Sequence, residues 1–223
     1  MPEILYEDGQ ILVVRKPAGQ DSQDGRGFSM DLSSELKNYL ARKEGGVPYL
    51  GIVHRLDRPV AGVMVFAKTK KAAASLSRQV LSGEMNKQYY ALLCGLPGTG
   101  SGGVLTHYLV QDRRYNTSAV TDSGAEGAKR AELCYEIVPA DIFHGFDALT
   151  EDFTGLYLAK VTLKTGRHHQ IRVQFAAEGA PLWGDDKYNP NFERKKGALG
   201  LCAYRLTFLH PATRKKMEFE IDG

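Results

Sequence analysis

Cysteine is scarce in this sequence: Cys94, Cys134 and Cys202 stand alone among 223 residues. An odd number with no C-x-x-C pair argues against a thiolate metal cluster and against a disulfide framework. Long hydrophobic runs are missing too. No stretch reaches the roughly 18 apolar residues of a membrane span, and residues 1–6 lack the basic segment and apolar core of a secretory signal. A cytoplasmic protein without membrane association is expected, so the formal sequon Asn116-Thr117-Ser118 reads as a surface loop. There is no glycine-rich loop ending in Gly-Lys-Ser/Thr and no G-x-S-x-G elbow, which sets aside two common catalytic templates. Internal repeats and low-complexity tracts are likewise absent. Excess charge of one sign is small: 29 basic against 26 acidic residues give +3. That is too little to argue nucleic-acid binding without a concentrated basic face.

What is present is an ordinary folding composition, 43% hydrophobic and 25% charged, which argues against disorder. The length suits one sizeable domain or two small lobes. Residues 4–7 and 11–15 around Asp8-Gly9 read as a hairpin, followed by a polar loop to Gly27. Apolar residues at helical spacing predict helices over 30–42 and 70–82. The second turns Ala73, Leu76 and Val80 inward and is closed by Gly83. Extended segments are expected at 51–56, 62–67, 88–94, 104–110, 131–138, 156–165, 199–208 and 216–221, and a short helix at 169–178. Residues 111–127 read as a long polar loop. Strands dominate and do not alternate regularly with helices, so the fold class is α+β with a mixed, mostly antiparallel sheet.

Chemistry concentrates in a few segments. In His54-Arg55-Leu56-Asp57-Arg58 an extended backbone sends Arg55 and Asp57 to the same face. Asp57 then lies among cations that favour its ionised form, and Pro59 with Gly62 suggests a bend that exposes it. A structural ion pair closing a loop would use the same residues. In residues 165–172, Arg167, His168, His169, Gln170 and Arg172 gather donors at a helix start, suited to a phosphate or to a buried carboxylate. Adjacent histidines on a helix diverge by about 100°, so they do not suggest a metal site. In Lys87-Gln88-Tyr89-Tyr90, alternation sends the two tyrosines to opposite faces; an exposed one could stack on a base, although two tyrosines at a strand start are more often packing residues. Asp185-Asp186 is a possible carboxylate pair that reads more simply as a turn.

Read together, these segments resemble the RluA-type pseudouridine synthases. His54 to Asp57 with Gly62 and the apolar strand behind it matches the family's H-R-L-D motif. Lys87-Gln88-Tyr89 resembles its Lys-x-Tyr strand, residues 165–173 its T-G-R-x-H-Q-I-R-V segment, and Gly184-Asp185 with Tyr188 its G-D-x-x-Y. Residues 11–19 and 203–211 resemble the K-P-A-G and L-x-F-x-H-P segments at the two ends. The resemblance covers nearly the whole chain in the family's order. It implies a mixed, mostly antiparallel sheet in two halves flanking a central RNA-binding cleft.

The resemblance also implies residue roles. Asp57 would be the essential aspartate, and Arg55 would fill the space of an extruded base. Tyr89 would lie against that base, Ile171 would wall the same pocket, and Arg172 would pair with the aspartate. His54, Arg58, Arg167 and Gln170 would assist in binding substrate. The reaction breaks the N1–C1′ bond of uridine and forms C5–C1′ with no net redox change, so no cofactor and no metal are expected. Residues 1–223 would form a single catalytic domain, monomeric, with no appended RNA-binding domain. Structured RNA, ribosomal or transfer, would then be met by Arg113-Arg114, Lys129-Arg130 and residues 194–196.

The departures are His168 in place of a small Thr or Ser, Gln174 in place of a common His, and Pro59-Val60-Ala61 after Asp57. They also include the residues after K-P-A-G, where 20–25 lack the usual apolar and His residues, and Cys202 where His is frequent. All bear on which RNA is bound more than on catalysis. The alternatives are a non-catalytic RNA-binding or RNA-folding protein on the same scaffold, and a carboxylate-based nucleosidase that would release free uracil.

Overall fold

The computed structural model describes residues 3–23, 30–146, 149–150, 152–192 and 199–222. The chain folds as two compact units, Met1–Lys87 with Ala203–Ile221, and Gln88–Cys202 with Asp222–Gly223. Elements run in the order β1 (Glu3–Glu7), β2 (Ile11–Lys16), α1 (Leu32–Glu44), β3 (Gly51–Ile52), β4 (Ala61–Ala67) and α2 (Lys70–Ser82). There follow β5 (Asn86–Leu93), β6 (Gly102–Asp112), β7 (Thr117–Thr121), β8 (Lys129–Val138), β9 (Tyr157–Leu163) and α3 (Gln170–Ala177). The chain ends with β10 (Leu201–Leu209) and β11 (Lys216–Glu220).

In the first unit the strand order is β1-β2-β4-β10, with β11 on β10 and β3 on β4. The opening hairpin forms because Asp8 Oδ1 accepts the N–H groups of Gln10 at 2.7 Å and Ile11 at 2.8 Å. β2 then runs antiparallel to β4, from Ile11 opposite Ala67 to Lys16 opposite Gly62. Ile11, Leu12, Val13 and Val14 are all 0% exposed. Successive strand residues point to opposite faces, so both faces of the sheet are covered here. Gly62 has φ of +146°, and a Cβ there would stand 2.4 Å from the carbonyl oxygen of Ala203, so only glycine fits.

Each helix of this unit is capped as its sequence suggests. Asp31 accepts from Ser34 N–H, Thr69 accepts from Ala72 N–H, and Gly83 is left-handed at the end of α2. The inward face of α2 differs by one position from the expected one: Ala72, Ser75, Leu76 and Gln79 are buried, whereas Ala73 and Val80 are partly exposed. Gln79 can be buried because its amide is satisfied, donating to Leu209 O at 2.8 Å and accepting from Leu209 N–H at 2.7 Å.

The second unit carries the order β5-β9-β8-β6-β7, antiparallel at each pairing. β8 alternates with buried Ala131, Leu133 and Tyr135, and Val173 of α3 packs with Leu109 and Ala131. The long loop expected at 111–127 is in part sheet. β6 continues to Asp112, and Thr117–Thr121 return beside it as β7. The reason is polar chemistry on an edge strand: Thr and Ser side chains carry no apolar alternation, yet the backbone still pairs. Residues 51–56 also differ, with only Gly51 and Ile52 in a ladder. The expected α+β, largely antiparallel architecture is otherwise present. Residues 24–27 of the first polar loop, and residues 194–196, lie outside the described residues. Among those described, no helix is long and apolar enough to cross a membrane.

Candidate active site

In the first unit, residues 53–60 leave β3 and turn back into β4. Burial alternates along this segment although it pairs with no strand: His54 and Leu56 face inward, Arg55 is exposed and Asp57 half-buried. Arg55 and Asp57 therefore share the outward side. The backbone is fixed from behind. Ser22 Oγ donates to Leu56 O at 2.7 Å and accepts from Leu56 N–H at 3.2 Å. Val60 N–H donates to Asp57 O at 3.0 Å, closing the turn. The exposed Arg58 donates through Nε to Gly19 O at 3.0 Å, and its own carbonyl accepts from Gly19 N–H at 2.8 Å. His54 Nε2 accepts from Val65 N–H at 3.1 Å, which places the ring proton on Nδ1. Burial first, and the charge of Lys87 second, push His54 down to about 3, so it is neutral.

Lys16 is the residue of this unit to which sequence reasoning gave no role, including it only as the lysine of the K-P-A-G segment. Its side chain is 0% exposed. Nζ donates to the carbonyl oxygens of Pro17 at 2.9 Å, Gln20 at 2.6 Å and Arg58 at 3.2 Å. Burial pushes its pKa down to about 8, against the attraction of Asp21 and Asp57. A buried cation beside Asp57 thus ties the Asp57 turn to residues 17–20. The available signal was a lysine at the end of a strand that opens with four apolar residues, just ahead of a proline.

In the second unit, α3 begins at Gln170, after His169 in the left-handed conformation (φ 52°), and not at His168–His169. Gln170 serves the protein's own backbone. Its Oε1 accepts from Thr165 Oγ1 at 2.8 Å and from Arg167 N–H at 2.9 Å, and its Nε2 donates to Glu132 O at 3.1 Å. Arg167 is exposed and donates through Nε to Arg130 O at 2.9 Å. Ile171 and Arg172 are buried, 4% and 3% exposed.

The arginine meets a carboxylate, Asp185, that sequence reasoning placed in a turn and did not pair with Arg172. Arg172 Nε and Nη2 donate to Asp185 at 2.8 and 2.6 Å, and Asp185 is 0% exposed. Asp186 lies 3.7 Å from Nη2. Asp185 Oδ1 also accepts the N–H groups of Lys187 and Tyr188. Of the two receptive ligands for this helix start, phosphate or buried carboxylate, the protein supplies the carboxylate itself.

Around this pair, His169 Nδ1 bonds Tyr188 OH at 2.7 Å, and the Arg172 guanidinium stands 5.1 Å from the Tyr188 ring centroid. Burial, then Arg172, His168 and Lys187, push His169 down to about 2. Its ring is therefore neutral. Tyr89 and Tyr90 are both buried at 7% exposure, so neither stands outward and the packing reading of the pair applies. Tyr90 explains part of this, since it stacks on Phe143 at 4.5 Å from a turn not foreseen in the sequence. Among the described residues no three His, Cys, Asp or Glu side chains gather as metal ligands.

The family model described as RNA pseudouridylate synthase matches residues 10–177, a span that includes Lys16, the Asp57 turn, Tyr89 and Arg172. The chain belongs to this family. As an RNA pseudouridine synthase of the RluA type it is an isomerase, and its substrate is RNA. The dual-specificity RNA pseudouridine synthase RluA of Escherichia coli (strain K12) is 34% identical over 222 residues, covering 97% of this chain and 91% of that protein. An RNA pseudouridine synthase of Aquifex aeolicus is also 34% identical, covering 98% of this chain and 68% of its own length. In fold, the synthase resembles human RNA pseudouridylate synthase domain containing 4, with a TM-score of 0.76 at 22% identity over 98% of this chain and 87% of that one. Human RNA pseudouridylate synthase domain containing 1 gives 0.75 at 24% identity, covering 100% and 84%.

Proposed function

We propose that this synthase isomerises specific uridines in structured ribosomal or transfer RNA, with Asp57 as the carboxylate that acts at the sugar. The observation that carries the reading is the Asp57 turn. An outward carboxylate and its neighbour Arg55 sit on a segment whose backbone is clamped by Ser22, Lys16 and Gly19. Rigid support behind a reactive carboxylate is what a positioned nucleophile or base requires. Relatives support the substrate class: the Escherichia coli protein, matched over 91% of its length, is named a dual-specificity enzyme, and a protein of Buchnera aphidicola, 30% identical and matched over 65% of its length, is named a ribosomal large subunit enzyme.

In this reading Arg55 enters the stack vacated by the flipped uridine. Tyr89 and Ile171 keep the detached uracil in place and water away, and Arg172 supports the ionised aspartate. Arg58 and Arg167, both exposed, meet the phosphate backbone, while His54 and Gln170 hold the segments that carry Arg55 and Arg172. What supports these assignments is the occurrence of each residue in a family motif, in the family's order. The protein works as a cytoplasmic monomer, a single catalytic domain, without metal or cofactor.

Isomerisation exchanges N1–C1′ for C5–C1′, so the proton on C5 must leave and N1 must gain one. The test uses that balance. Pseudouridine is mapped in total RNA from cells with and without the gene, and the purified protein is assayed for release of tritium from [5-³H]uridine in RNA from the deleted strain. Loss of one or a few sites, restored by the native gene and not by Asp57→Asn, is expected. No lost site together with no tritium release would overturn the reading in favour of an RNA-binding protein. Free uracil in the assay would favour a nucleosidase.

A further inference from the structure

The β6–β7 hairpin has a tip that the catalytic assignment does not use. Asp112 Oδ1 accepts the N–H groups of Arg114 at 2.8 Å and Tyr115 at 3.1 Å, which shapes the turn, and Asn116 leaves it in the left-handed conformation. Arg113, Arg114 and Tyr115 are all exposed, Tyr115 at 64%. The Arg114 guanidinium carbon lies 5.2 Å from the Tyr115 ring centroid. A large aromatic ring is thus held in water against the Arg114 guanidinium, with Arg113 next along the turn.

The base of this tip is pinned. Ser118 N–H donates to Tyr188 OH at 2.8 Å, and Ser118 Oγ bonds His168 Nδ1 at 2.9 Å. His168 Nε2 meets Asn116 Oδ1 at 3.1 Å, and Lys187 Nζ donates to Asn116 O at 2.6 Å. His168, one of the departures from the family pattern, makes two of these ties. An exposed aromatic on a tethered hairpin loses little freedom on binding, which favours contact with a partner. The chemistry selects the partner. An aromatic face takes any unstacked base, and flanking guanidinium groups take its phosphates. Paired bases offer no open face.

We propose that the hairpin tip is a second RNA-contact point, in which Tyr115 stacks on an unpaired base and Arg113 and Arg114 hold adjacent phosphates. It rests on the reading of this chain as an enzyme of structured RNA and adds where a single-stranded part of that RNA is gripped.

The experiment measures direct binding, by fluorescence anisotropy, of the full-length protein to labelled oligouridylate and to a blunt, fully paired RNA duplex. Base–aromatic stacking predicts that Tyr115→Ala weakens oligouridylate binding about tenfold and leaves duplex binding unchanged. Tyr115→Phe, which keeps the ring, should bind oligouridylate within about twofold of the native protein. Replacing both Arg113 and Arg114 by alanine should reduce the salt dependence of oligouridylate binding by about one to two phosphates' worth. Undiminished oligouridylate binding by Tyr115→Ala, or an equal loss on duplex, overturns the proposal. Failure of tritium release in the activity assay would instead strike the catalytic reading, and these binding data would still decide the role of Tyr115.

Discussion

The Asp57 turn and the start of α3 are held by opposite means. The turn is fixed through its backbone: Ser22, Lys16 and Gly19 bond the amides and carbonyls of Leu56 and Arg58. The α3 start is fixed through side chains, with the buried pair Arg172–Asp185 at its centre and Tyr188, His169 and Gln170 around it. Each region also buries a base, with opposite outcomes. Lys16 at about 8 stays a cation at neutral pH because carbonyl oxygens and two carboxylates surround it. His169 at about 2 stays neutral because Arg172, His168 and Lys187 add to its burial. One segment is thus held chiefly through main-chain amides and carbonyls, the other chiefly through buried side chains.

That contrast can be broken by mutation, and the largest effect belongs to the turn. Asp57→Asn should lower tritium release by about a thousandfold or more while the melting temperature stays within a few degrees. A large fall in melting temperature would make Asp57 part of the scaffold and erase the distinction. Next, Asp185→Ala strands a buried guanidinium. Breaking such a pair costs about 3–5 kcal/mol, and the lower end applies because Asp186 remains 3.7 Å away. Urea unfolding measures this, and a loss below about 1 kcal/mol would show that the pair does not hold the wall.

A smaller effect appears with pH. The folded value of His169 is depressed from 6.5 to about 2, so its contribution is complete above pH 6.5 and is lost as pH falls from there toward 2. The native protein should therefore lose stability relative to His169→Gln below pH 6.5, by up to about 1.4 kcal/mol per pH unit. Urea titrations at pH 7, 6, 5 and 4 would show it, and a constant gap would count against a neutral His169. Smallest is Ser22→Ala, expected to cost about 1 kcal/mol in urea unfolding. Its effect on catalysis should exceed its effect on stability, since it loosens the Asp57 turn; unchanged turnover would mean that Lys16 alone suffices.

Much of the first unit could be read directly from residue order. Asp8-Gly9 made the hairpin legible, Gly83 marked the end of α2, and the apolar runs at 11–14 and 63–67 marked strands. The face shared by Arg55 and Asp57 followed from alternation, and the burial of His54 and Leu56 carries the same alternation. The second unit was less legible. β7 has no apolar period, because one edge of it meets water and its Ser118 is satisfied by Tyr188 and His168, far along the chain.

The order of motifs by itself determined the family, the α+β class and Asp57 as the carboxylate to test, since these follow from local periodicity and short-range residue sets. Only the tertiary structure decided that Lys16 lies buried behind the Asp57 turn, that Asp185 takes Arg172, and that a polar stretch becomes a pinned hairpin. The reason is physical. A strand or a cap depends on neighbours within a few residues, whereas the partner of a buried charge is chosen by whichever distant group satisfies it when water is excluded.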